Sequence, residues 1–149
     1  MPLVQLTTFI AAPVEKVFDL ARSIDLHQQS MTNHAEKAIA GRKEGLIEKG
    51  ETVTWTAKHL GKNRTLKVVI TAMNSPHYFT DEMLEGDFQK MKHEHYFKPC
   101  DNGTSMIDQF YFESPFGFLG KLVNRFLLTD YMTRLLQERN RYLKQKAEI

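Results

Sequence analysis

The chain has a single cysteine, Cys100, among 149 residues. An intrachain disulfide is therefore excluded, and so is a zinc centre built on several thiolates. Cys100 falls in Pro99-Cys100-Asp101-Asn102-Gly103, a turn-like stretch, and reads as an incidental turn thiol. Charge of one sign is also missing: 20 basic side chains face 18 acidic ones, for a net charge of +2. That balance lacks the excess of positive charge expected of a nucleic-acid or anionic-membrane binder. No apolar run approaches the roughly 18 residues needed to span a bilayer. The start, Met1-Pro2-Leu3-Val4-Gln5-Leu6, has neither the basic residues nor the apolar stretch of a signal peptide, so the expected location is the cytoplasm. Internal repeats, low-complexity tracts and Pro/Gly linkers are absent, and the expectation is one domain, residues 1–149.

What is present is a well-punctuated alternation of elements. Hydrophobic residues make up 42% of the chain, enough for a globular core. Val4 to Ala11, β-branched and apolar, predicts a first strand. Pro13 opens a helix at a position where its missing N–H costs little, and Val14, Val17, Phe18 and Ala21 give that helix an apolar stripe. Ser23 is placed to cap a second short helix. Six strands are predicted next: residues 35–40, 51–60, 64–73, 78–84, 90–98 and 104–112, separated by short turns that imply antiparallel hairpins. From Phe118 the spacing changes. Apolar residues recur at intervals of three and four as far as Leu143, which predicts one long amphipathic helix. Arg139, Arg141, Lys144 and Lys146 then read as a solvated basic end suited to the negative pole of the helix. The pattern is α+β, with the final helix the only element long enough to cover the sheet.

Strand parity selects candidate functional residues. Along residues 90–98, Lys90, Lys92, Glu94, Tyr96 and Lys98 point one way, and Met91, His93, His95 and Phe97 the other. The charged set belongs in water, so two histidines face the helix. A turn at Asn102-Gly103 places His95 opposite Asp108 or Phe110, and either register puts Met106, Asp108, Phe110 and Phe112 on the inner face. If the preceding hairpin pairs odd residues with odd, Asp81 lies beside His93 or His95. The expectation is a buried cluster of Asp81, His93, His95 and Asp108. A buried carboxylate requires a partner, and an imidazole supplies one.

Such a cluster can fix strand register, orient the polar end of an apolar ligand, or act as an acid–base pair. Two histidines at i and i+2 with two aspartates are compatible metal ligands, but no clean metal motif is present, and neither metal nor cofactor is expected. Around the cluster, Trp55 and His59 share an inward face with Val53 and Ala57. With Phe79, Met83, Met91, Phe97, Phe110, Phe112 and Phe126 they form the candidate ligand wall. Phe116 to Gly120, apolar with two glycines, is a candidate gate.

The order of elements resembles the helix-grip fold of the SRPBCC superfamily, also called START-like. The birch pollen allergens, START lipid-transfer domains, aromatic polyketide cyclases and coenzyme Q-binding proteins belong to it. Particular stretches sharpen the resemblance: residues 54–61 (Thr-Trp-Thr-Ala-Lys-His-Leu-Gly), 79–82 (Phe-Thr-Asp-Glu), 92–97 (Lys-His-Glu-His-Tyr-Phe), then Gly103-Thr104 and Asp108. They are similar to a bacterial subgroup described as ligand-binding SRPBCC proteins. The resemblance implies a curved seven-stranded antiparallel sheet wrapped around a long C-terminal helix, with two short helices between the first two strands. It also implies a cavity between sheet and helix, and no particular activity. The expected partner is a small hydrophobic ligand such as a lipid, an isoprenoid or a polyketide-like ring. A cyclase or dehydratase using the His/Asp pair in the same cavity is one alternative; a protein-interaction module with a filled core is another.

Overall fold

A computed structural model describes residues 3–113 and 127–149. The strands are β1 (Leu3–Ile10), β2 (Lys37–Gly41), β3 (Thr52–His59), β4 (Lys62–Asn74), β5 (Tyr78–Glu85), β6 (Lys90–Cys100) and β7 (Gly103–Glu113). The helices are α1 (Val14–Ala21), α2 (Ile24–Ser30) and α3 (Thr129–Ala147), with a 3-10 turn at Thr32–His34. All strand pairs are antiparallel, in the order β1-β7-β6-β5-β4-β3-β2. Strands β2 to β7 form successive hairpins, and β1 returns to pair with β7. The chain must therefore travel from one sheet edge to the other between β1 and β2, and α1 and α2 make that crossing. This is the predicted seven-stranded helix-grip architecture. No helix among the described residues is long and apolar enough to cross a membrane. The start of the long helix predicted at Phe118, the candidate gate and Phe126 lie outside the described residues.

Local chemistry accounts for the element ends. Ser23 Oγ accepts from Leu26 N at 3.2 Å and caps α2. The last hairpin turns on Asp101 and Asn102, since Cys100 pairs with Gly103 and Asn102 adopts a φ of 65°. The turn thus comes one residue earlier than Asn102-Gly103, and His95 faces Asp108 rather than Phe110. β6 also runs through Pro99, where the sequence predicts a break. Phe97 N donates to His77 O on the β5 side, so Pro99, two residues on, aims its missing N–H to the same side. β5 pairs with β6 only as far as Tyr96, so no partner strand is deprived there.

Gly103 is required for close approach rather than for its backbone angle. A Cβ on it would sit 2.2 Å from Ile10 O and 2.9 Å from the Phe9 ring. Gly103→Ala is therefore expected to push β1 from β7 and lower stability by about 1–3 kcal/mol in urea unfolding. A shift within error would mean that β1 moves freely at this edge.

The inner face of the sheet carries the core. Phe18 of α1 packs edge-on against Phe79 and Phe97, with ring centroids 5.6 and 5.3 Å away. α3 buries Leu136, Arg139, Asn140, Leu143 and Ala147 against the sheet. Its C-terminal end is pinned to the end of β1: Lys144 Nζ donates to Phe9 O at 2.6 Å, and Ala11 N donates to Glu148 Oε2 at 2.8 Å.

Candidate functional site

Alternation along β6 turns Met91, His93, His95 and Phe97 inward, all four buried. The β5–β6 register sets Asp81 directly across from His93, and the β6–β7 register sets Asp108 across from His95. The side chains then pair diagonally. His95 Nε2 is 2.8 Å from Asp81 Oδ2, and His93 Nε2 is 2.8 Å from Asp108 Oδ1. An ionised carboxylate only accepts, so in each pair the imidazole N–H donates. The two imidazoles stack at 3.7 Å between centroids, and Phe79 stacks on the other side of His95 at 4.1 Å. All four residues of the predicted cluster are brought together.

Strand parity gives no sign of what closes this cluster from the helix side. Arg139, only 5% exposed, donates from Nη2 to Asp108 Oδ1 at 2.6 Å. Asn140 Nδ2 donates to Asp108 Oδ2 at 2.8 Å, and the Asn140 carbonyl oxygen accepts from Arg139 Nε and Nη2. Arg139 is thus not part of a solvated basic end. The signal was present in its spacing: Leu136, Arg139, Asn140 and Leu143 lie on one helical stripe. A fully buried Asp108 also required a stronger partner than a neutral ring.

Electrostatics follow from this packing. Burial alone would raise the Asp108 carboxyl, but the adjoining Arg139 guanidinium and the His93 hydrogen bond override it and hold the group well below the usual carboxylate range. Burial also acts against ionised Asp81, and the His95 hydrogen bond reverses that, lowering its pKa as well. His95 goes the other way from a salt-bridged imidazole: burial, then the nearby His93, push it down to about 4. It is therefore neutral at physiological pH. Its Nδ1 is buried with no hydrogen-bond partner among the described residues and lies 3.6 Å from Asp108 Oδ1.

Between sheet and helix lies a cavity of about 380 Å³. Of the predicted wall, Trp55, His59, Phe79, Met91, His93, His95 and Phe110 line it, as does Asp81. Met83, Phe97, Asp108 and Phe112 are not among its lining residues. Phe97 and Phe112 are sealed in the core, Met83 packs half-buried against that core, and Asp108 sits at zero exposure beneath the histidines. Parity assigns a residue to the inner face; the depth of neighbouring side chains decides whether it reaches the cavity.

Two further polar pairs line the cavity, and of their four members the sequence pointed only to His59. Where β3 ends, His59 Nδ1 lies 2.8 Å from Tyr131 Oη on the first turn of α3. Burial and neighbouring His34 lower the pKa of His59. Elsewhere, the His27 ring packs 4.5 Å from Trp55 while its Nε2 meets Glu36 Oε1 at 2.5 Å. The His59–Tyr131 and His27–Trp55 contacts join elements remote in sequence, so no local spacing signals them.

A sheet gripping a helix, with an apolar cavity and one polar cluster between them, defines the helix-grip class. Within it, the chain belongs to the family described as polyketide cyclase / dehydrase and lipid transport, whose model matches residues 1–148, and so to the SRPBCC superfamily. Among solved structures, a Thermus thermophilus protein is similar at a TM-score of 0.80 and 19% identity, covering 98% of this chain and 97% of its own. A ginseng major latex-like protein from Panax ginseng is similar at 0.73 and 14% identity, over 98% and 97% of the two chains. A START superfamily protein from Mycobacterium smegmatis is similar at 0.73 and 14% identity, again over 98% and 97%. At those identities the likeness is one of fold. No curated protein is significantly similar in sequence.

Proposed function

We propose that the protein binds an apolar small molecule (a lipid, isoprenoid or polyketide-like ring) between sheet and α3, with a polar group of the ligand directed to Asp81, His93 and His95. The cavity carries this reading. About 380 Å³ lies within the range of small-molecule sites, and its walls are mostly apolar, with a few converging polar groups. A space bounded by Trp55, Phe79, Met91, Phe110, Met132 and Leu136 excludes water from most of its surface and favours an apolar occupant. The family description, which includes lipid transport, supports the same class of partner. The third reading, an interaction module with a filled core, leaves no use for such a volume.

Native mass spectrometry of protein purified without detergent tests it. The expected result is a discrete added mass of small-molecule size. Met132→Trp, which fills the cavity from α3 while keeping an apolar surface, is expected to weaken that ligand at least about tenfold, or remove it. No added mass, together with no thermal shift across fatty acids, quinones and aromatic polyketides, overturns the proposal.

A second reading has one observation in its favour: the Asp81–His95 pair is ordered and lines the cavity. The Asp81 carboxylate, held by the His95 N–H and lining the cavity, is the member of the pair placed to act as a general base toward an acidic C–H or hydroxyl, as a cyclase or dehydratase requires. Turnover of a bound aromatic polyketide, lost in Asp81→Asn while binding persists, would distinguish enzyme from carrier.

A further inference from the structure

His95 holds one proton against two carboxylates. With that proton on Nε2, Asp81 is satisfied at 2.8 Å, and Nδ1 turns a lone pair toward Asp108 Oδ1 with no donor between them. With it on Nδ1, the N–H faces Asp108 Oδ1 across 3.6 Å, and Nε2 opposes the Asp81 oxygen, acceptor against acceptor. Protonating both nitrogens would bury another full charge. A cation seated between Nε2 and Asp81 resolves the conflict. It takes a lone pair from each and sends the ring proton to Nδ1, on the Asp108 side. A ligating histidine whose other nitrogen donates to a carboxylate is the usual support of a protein-bound metal.

The geometry points to a divalent-metal site formed by Asp81, His93 and His95. One donor atom from each lies within 4.8 Å of the others. Metal–ligand bonds of about 2.0–2.2 Å put two donors on a tetrahedral ion about 3.3–3.6 Å apart, so the widest pair closes by up to about 1.5 Å, shared between two side chains. His93 is prepared for this: its Nε2 proton is committed to Asp108 Oδ1, which leaves Nδ1 as a lone pair. Charge agrees, because among the described residues Asp81 and Asp108 outnumber the one guanidinium in the cluster, Arg139, which pairs with Asp108. Two imidazoles and one carboxylate suit a first-row divalent ion such as zinc rather than the all-oxygen preference of calcium or magnesium. All three residues line the cavity, and three protein ligands leave at least one coordination position for a water or for an oxygen of the bound molecule. This departs from the expectation of no metal drawn from sequence, where parity set Asp81 beside His93 or His95 only if odd residues paired with odd, and no clean metal motif was present.

Untagged protein, dialysed against a chelator and then titrated with Co²⁺ in the absence of any organic ligand, tests the site. Its outcome is therefore independent of the small-molecule reading. The expected result is saturation at one ion per chain, with a visible ligand-field band that Zn²⁺ displaces. Asp81→Asn and His93→Gln, each verified as folded by circular dichroism, are expected to weaken binding at least about tenfold. His77→Gln, which alters a histidine outside the cluster, is expected to leave it unchanged. Absence of a saturable band overturns the proposal. So does a titration that survives both Asp81→Asn and His93→Gln, since the ion then binds elsewhere.

Discussion

Asp108→Ala is expected to cost about 3–5 kcal/mol of folding stability, a large share of what holds an ordinary domain folded. Asp108 is completely buried and accepts from Arg139, Asn140 and His93. Removing it leaves a guanidinium 5% exposed with no counter-charge, and strands the donors of Asn140 and His93. Arg139→Met leaves the opposite orphan, a buried carboxylate, and should cost a comparable amount. The double variant Asp108→Ala/Arg139→Met removes both charges, and its cost should fall well short of the sum, by at least about 2 kcal/mol. Urea unfolding of the four proteins measures this cycle directly. Additive costs would show that the two groups do not stabilise one another, and that Arg139 reaches solvent in the folded state.

Acid should destabilise the protein well before its carboxylates titrate normally. His95 has a folded pKa of about 4, against 6.5 for a free imidazole. Below pH 6.5 the unfolded chain takes up a proton that the folded chain refuses, so stability falls with pH until about 4. The gap corresponds to roughly 3 kcal/mol, gained at neutral pH and lost across that window. His59, also lowered, adds to the loss in the same direction. Asp108 and Asp81 contribute below it: their folded pKa values lie under the ordinary carboxylate value of 3.8, so their share disappears only in stronger acid. The measurement is the urea midpoint from pH 6.5 to 4, with chelator present so that protons alone are followed. His95→Gln, which keeps a donor for Asp81, should flatten the slope in this range. A wild-type midpoint constant between pH 6.5 and 4 would mean that His95 is solvated.

Both effects trace to one structural fact: a polar layer lies where an α+β protein usually buries apolar residues. The layer links β5, β6 and β7 to α3 and adjoins the cavity. Its directional bonds fix both the β6–β7 register and the depth at which the helix seats. The same bonds hold the His95 and Asp81 side chains against the cavity wall, so the stability of the fold and the geometry of the site depend on common groups.

What the sequence determined by itself were the elements, their order and their faces. Pro13, Ser23 and the clean alternation of Lys90 to Lys98 are local signals, and local sterics and hydration act on them before any tertiary contact forms. Those signals sufficed to turn His93, His95 and Asp108 inward and to order the elements, and it was the resemblance of that order to a known superfamily that implied the helix-grip arrangement. Tertiary structure decided the rest. A one-residue difference in where the last hairpin turns selected Asp108 over Phe110 as the partner of His95, because β1 packs so closely on Gly103. Arg139 read as a solvated charge until the sheet supplied a buried carboxylate for its stripe of the helix. Whether an inward side chain lines the cavity, as Trp55 does, or disappears into the core, as Phe97 does, depends on how far α1 and α3 stand from the sheet. That distance is a property of packed volumes summed over the whole chain, which no single stretch of sequence contains.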